Sequence, residues 1–193
     1  MRRTRVIIFL GFLTFFIFPS QGGALNKFGS QAFRTPYDVK YRKVQIYLAS
    51  TRNLSAGGGS PSFSRQQSMI QRFLNMAHGF RFEQEPMLSS GKSEDHWQLP
   101  EETERLGCGD CEDLAIWLYC RLLDEGFTNI RFTLGLAGTE DKAMHAWITW
   151  YERGEIYIVD PSRRGGLYCA SESGSITYQP FYSYYFDQRW DHQ

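Results

Sequence analysis

The chain has no surplus of either charge: 21 basic and 21 acidic residues cancel over 193 positions. It shows no internal repeat and only four cysteines, Cys108, Cys111, Cys120 and Cys169. Its longest apolar run, Val6–Phe18, has 13 residues, short of the roughly 20 a membrane helix needs. No other stretch comes closer. Each shortage excludes something. Without a basic surplus, nucleic acid is not an expected partner. Without a second ligand pair at matching spacing, Cys108-x-x-Cys111 is half of a zinc site at most. Residues 100–106 before it look helical, so it also lacks the strand that leads into a redox pair of a βαβ unit.

What is present begins with an address. Arg2, Arg3 and Arg5 precede the apolar run, and Pro19 and Gly22-Gly23-Ala24 follow it. This is the layout of a secretory signal peptide over residues 1–24, cleaved or kept as an anchor. Its removal leaves 18 basic against 21 acidic residues, a net of −3. The expected location is periplasmic or secreted. An oxidising compartment permits disulfides. With one cysteine kept as a nucleophile, three remain, an odd number for pairing.

At 42% hydrophobic and 16% aromatic over its full length, the chain suits one globular domain after that stretch. Residues 25–63 form an N-terminal segment ending in a flexible loop at Gly57-Gly58-Gly59-Ser60-Pro61, and residues 64–193 the core. Val44–Ala49 reads equally as strand or helix. From Ser64, Met69, Ile70, Phe73, Leu74 and Ala77 recur at helical spacing up to Gly79. Phe80–Gly91 reads as irregular. A central helix runs from about Cys111 to Leu123 with the stripe Leu114, Leu118, Leu122, capped by Gly126. Ile130–Ala137 and Ala143–Tyr151 read as strands, and Arg153-Gly154 as a tight turn into Glu155–Val159. Helices followed by antiparallel strands make an α+β fold.

The chemistry lies on that helix and hairpin. Cys111 sits on the first helical turn, where the N-terminal dipole favours a thiolate. The other reading of Cys111 is a small buried core residue; flanking Gly109-Asp110 and Glu112-Asp113 favour a turn near solvent. With a turn at 153–154, facing residues sum to about 307, which sets Asp160 near Trp147 and one diagonal from His145. A cysteine, a histidine and an aspartate then supply nucleophile, base and orienter. Asp110 as N-cap and Asp113 at the third helical position suit a helix start. Three carboxylates beside a thiolate nevertheless oppose its ionisation. A calcium ion held by Asp110, Glu112 and Asp113 would offset that. The Cys111 backbone N–H is a natural oxyanion donor. Trp97 reads as packing, and Trp147 as a wall of the cleft.

Gln71-Arg72-Phe73-Leu74-Asn75, Asp95-His96-Trp97-Gln98-Leu99-Pro100-Glu101-Glu102 and Gly109-Asp110-Cys111-Glu112-Asp113-Leu114-Ala115-Ile116 together resemble bacterial transglutaminase-like cysteine proteinases. His145, Val159-Asp160 and Tyr178-Gln179-Pro180-Phe181-Tyr182-Ser183 extend the likeness over about residues 64–185. The resemblance implies a papain-like core whose helix carries the nucleophile against an antiparallel sheet, and a triad of Cys111, His145 and Asp160. The LapG-type branch implies more: a periplasmic, calcium-dependent protease that clips large surface adhesins, restrained by an inner-membrane receptor, with Asp110, Glu112 and Asp113 as calcium ligands. His145-Ala146-Trp147 and Asp160-Pro161 are nearer to general transglutaminase-like domains. The same residues would serve acyl transfer to an amine, and the same fold a non-catalytic binding module.

Overall fold

The computed structural model describes residues 34–51, 61–84, 95–172 and 174–193. The stretch 1–24, expected to be a signal peptide, and Gly57-Gly58-Gly59-Ser60 lie outside the described residues. Among the described residues no helix is long and apolar enough to cross a membrane. In chain order the elements are α1 (Asp38–Thr51), α2 (Phe63–Ala77), β1 (Arg81–Phe82), α3 (Pro100–Leu106), β2 (Cys108–Gly109), α4 (Cys111–Asp124), β3 (Ile130–Gly138), β4 (Ala143–Glu152), β5 (Glu155–Val159), β6 (Leu167–Cys169), a 3-10 turn (Ala170–Glu172), β7 (Thr177–Tyr185) and β8 (Gln188–Asp191). The fold is α+β, with helices first and an antiparallel sheet after them.

Helix α4 is the axis. Every residue from Leu114 to Cys120 is buried, as are Leu122 and Leu123. The expected stripe of three leucines understates this: Ile116, Trp117 and Tyr119 are equally buried. A helix apolar on all sides must be covered on all sides. Helices α2 and α3 pack on it from one side and strands β3 and β4 from the other. Phe73 and Phe80 meet the Trp117 ring edge-on at 6.1 and 5.2 Å.

The sheet runs β6-β5-β4-β3-β7-β8, antiparallel throughout. The β4–β5 hairpin has the expected register, with Ile148 opposite Val159 and Thr149 opposite Ile158. Its turn residues Arg153 and Gly154 have φ of 54° and 82°, both left-handed as a two-residue hairpin turn requires.

Val44–Ala49, open between strand and helix in the sequence, belongs to helix α1. That helix lies in the stretch set apart as an N-terminal segment, yet Tyr41, Val44 and Leu48 join the same core as α4, with Tyr41 stacked on Tyr184 at 4.1 Å. One reading needs correcting: the segment after Phe80 is not wholly irregular, because Arg81–Phe82 pairs in parallel with Cys108–Gly109 just before the Cys111 turn. All four cysteines are free thiols, so no disulfide braces the domain.

Candidate active site

The hairpin brings base and orienter together. His145 stands near the start of β4 and Asp160 one residue past the end of β5. His145 Nε2 lies 2.7 Å from Asp160 Oδ2. Asp160 is fully buried. Burial works to raise its pKa, but His145, Ser162 and Tyr178 bond to its charged form and hold it below the usual carboxylate value. An ionised carboxylate only accepts, so Nε2 carries the proton. The neutral imidazole then has its lone pair on Nδ1, the nitrogen a thiol would use.

Asp160 has more partners than the sequence indicated. Oδ1 accepts the Ser162 hydroxyl at 2.7 Å and the Ser162 backbone N–H at 3.1 Å. Oδ2 also accepts the Tyr178 hydroxyl at 2.7 Å and pairs with Arg163 Nε at 3.2 Å. Asp160-Pro161-Ser162 does carry a turn signal that could have exposed the Ser162 bonds. Nothing local marks Tyr178 or Arg163. The loop that follows closes tightly: Asp160 N–H donates to Gly166 O at 2.7 Å. A Cβ on Gly166 would come within 2.0 Å of the Asp160 carbonyl oxygen.

Trp147 is not a wall of an open cleft. It is completely buried beneath the site. Its ring stacks with His145 at 6.3 Å and 22° and meets Tyr178 edge-on at 5.1 Å. Trp97 packs as expected, against Tyr37 and Phe132.

The Cys111 turn is built by a capping box, with Asp110 as N-cap and Asp113 as its third-position partner. Asp113 Oδ2 accepts the Asp110 backbone N–H at 3.3 Å. Its Oδ1 accepts the Gln98 N–H at 2.7 Å, tying the segment before α3 to the start of α4. A side chain on Gly109 would strike Asp113 Cβ at 2.7 Å, so glycine is what lets this carboxylate fold back.

The turn is also not near solvent: Asp110, Glu112 and Asp113 are all buried. This reverses the expected thiol chemistry. Burial pushes the Cys111 thiol well above its ordinary value, and the Glu112 and Asp110 carboxylates push it further. The thiol donates to Glu112 Oε2 at 3.2 Å. Against these effects, the backbone N–H of Ala146, the residue after His145, favours ionisation of the sulfur. The structure therefore brings Cys111 against β4 at Ala146, the residue after His145, with its thiol donating to Glu112.

Of the three acids expected to hold a metal, two gather around Cys111. Ligand atoms of Asp110, Cys111 and Glu112 all lie within 4.8 Å of one another. Asp113 is outside that group, its oxygens turned to the two backbone donors. Asp110 Oδ1 is buried with no hydrogen-bond partner. Burial and hydrogen bonding with Asp110 push Glu112 up to about 9. An orphaned buried oxygen beside a carboxyl that retains its proton fits a hard, oxygen-seeking cation. Two carboxylates fall short of the 6–8 oxygens calcium takes, so carbonyls and water must supply the rest.

No family model matches this chain, and no curated protein does. Solved structures do. The fold is similar to that of calcium-bound LapG from Legionella pneumophila, with 22% identity over 78% of this chain and 86% of that one, at a TM-score of 0.55. EGTA-treated LapG from the same organism is similar at 23% identity over 79% and 85%, with a TM-score of 0.56. The likeness is one of fold: a central helix against an antiparallel sheet.

Proposed function

We propose that this chain is an exported cysteine peptidase that hydrolyses a peptide bond in a protein substrate. The observation that carries the reading is the 2.7 Å bond between His145 and a buried, ionised Asp160, one residue from the strand position that meets the Cys111 sulfur. The likeness to LapG supports it. In this reading His145 Nδ1 takes the thiol proton once the sulfur leaves Glu112. The thiolate attacks the peptide carbonyl, the C–N bond breaks, and His145 returns the proton to the departing amine. Water, deprotonated by His145, then cleaves the thioester and frees the acid. Asp160 holds the imidazole in the Nε2–H tautomer throughout.

Asp110 and Glu112 would hold calcium. Bound there, the ion would offset the two carboxylates that oppose thiolate formation. By the same resemblance, the substrate is a large surface adhesin.

The test incubates wild-type and Cys111→Ala protein with outer-surface protein, in calcium and in EGTA. Expected are fragments with new carboxyl termini from wild type in calcium alone. Identical fragments from Cys111→Ala would refute the enzyme. Products carrying the mass of an added amine would make it an acyl transferase. Equal activity in EGTA would remove the metal.

A further inference from the structure

Tyr178 stands on β7, two strands from His145, with β3 between them. Two strand spacings are roughly 10 Å, near the limit of a tyrosine's reach. The crossing is open because β3 is small there. Gly135 lies opposite both His145 and Pro180, and Ala137 lies opposite Tyr178. Gly135 is also where β7 shifts register, and a Cβ on it would strike the Gln179 carbonyl oxygen at 2.1 Å. The side chain therefore crosses a strand stripped of bulk and ends at 2.7 Å from Asp160 Oδ2. That is the same oxygen that receives the imidazole N–H.

Tyr178 is itself held. The Tyr168 hydroxyl, from β6, donates to the Tyr178 oxygen, and the two rings lie 5.8 Å apart. The Tyr178 ring leans on Trp147 and on His145, at 5.1 and 6.3 Å. A donor chain runs Tyr168 to Tyr178 to Asp160 from one side, and His145 to Asp160 from the other. Burial, then the Asp160 charge, keeps the Tyr178 hydroxyl protonated and so a donor.

We propose that Tyr178, braced by Tyr168, is a positioning residue for the His145–Asp160 pair, fixing the carboxylate oxygen that orients the imidazole. The assignment rests on the reading of Cys111, His145 and Asp160 as one catalytic site. The other groups facing Asp160 are Ser162 and Arg163 from the following loop. Arg163 is tied in turn to α2's end through its carbonyl and His78. None of them reaches across the sheet. Without the Tyr178 hydroxyl, the Asp160 charge is less spread and holds the imidazolium more strongly, so His145 would lose its proton at higher pH.

The experiment uses full-length protein with nitrogen-15 in its histidines, comparing wild type, Tyr178→Phe and Tyr168→Phe. Nuclear magnetic resonance reads the tautomer and titration of His145, assigned with His145→Gln. In Tyr178→Phe the His145 midpoint should rise by about half a pH unit or more, with loss of the pure Nε2–H tautomer. Tyr168→Phe, which leaves the bond to Asp160 in place, should move it the same way by less. Iodoacetamide alkylation of Cys111 at fixed neutral pH should slow roughly threefold or more in Tyr178→Phe. A midpoint and tautomer unchanged in Tyr178→Phe would overturn the proposal. If that variant does not fold, an unchanged Tyr168→Phe spectrum would do so. The resonances do not depend on turnover. A His145→Gln protein whose Cys111 alkylates like wild type would refute the catalytic reading and leave the Tyr178 spectra to stand or fall separately.

Discussion

Asp113 is the acid whose role the structure changes most, and removing it separates two accounts. As a metal ligand it would matter only with calcium present. As built, its oxygens hold two backbone donors, Asp110 N–H at 3.3 Å and Gln98 N–H at 2.7 Å. Loss of a capping interaction costs about 1 kcal/mol. Leaving the second donor, in a part-buried setting, without an acceptor costs about 1–3 kcal/mol more. Asp113→Ala should therefore destabilise by about 2–4 kcal/mol. At roughly 2–4 °C per kcal/mol for a domain of this size, the melting temperature should fall by about 5–15 °C. Asp113→Asn keeps one acceptor oxygen and should fall by less. The assay is thermal unfolding followed by circular dichroism, in EGTA and in calcium. The capping account requires the drop in EGTA. A variant that melts within about 2 °C of wild type in EGTA, and loses stability only in calcium, would refute it.

Three further outcomes are expected. Glu112→Gln keeps the shape of the turn but removes an anionic ligand; calcium should raise the melting temperature of wild type and not of this variant, as differential scanning fluorimetry would show. Asp160 has a lowered pKa in the fold, so its contribution is complete above the unfolded value near ~3.9 and is lost as pH falls through the folded value. Urea midpoints between pH 5 and pH 2 should thus fall less steeply in Asp160→Asn than in wild type. Gly166→Ala puts a methyl 2.0 Å from the Asp160 carbonyl oxygen, so the loop must move. A loss of about 1–3 kcal/mol in chemical unfolding, with slowed Cys111 alkylation, is expected.

The hairpin was legible because its signals agree. Arg153-Gly154 suits a turn with two left-handed residues, and the flanking strands then have only one register that pairs their apolar faces. That register alone delivered the His145–Asp160 contact. Ile130–Ala137 was legible as well, as part of β3, but the sheet beyond these strands was not. Strand β6 has three residues in a Gly- and Ser-rich loop. Strand β7 carries Pro180, which argues against a central strand. The structure admits it at the register shift beside Gly135, where the ladder is already broken. Helix α1 hid for another reason. It buries Tyr41, Val44 and Leu48 but leaves Val39 and Ile46 exposed, which blurs its period.

The acids at the nucleophile show what sequence spacing leaves out. Asp110, Glu112 and Asp113 are near neighbours along the chain and similar in chemistry, so proximity assigned them one job. A helix start sends them in different directions. The third position, Asp113, turns toward two backbone donors, whereas the N-cap Asp110 and the second position, Glu112, gather at the thiol. Dipole arguments predict a reactive sulfur at such a position, but they presume solvent or a neutral surround. Here burial is the larger effect and the two carboxylates reinforce it. Burial and the two carboxylates favour the protonated thiol as folded. A buried Glu112 and an orphaned Asp110 oxygen are features a cation would satisfy. If Cys111, His145 and Asp160 act as one site, as proposed, positive charge held at Asp110 and Glu112 would be what frees the thiol.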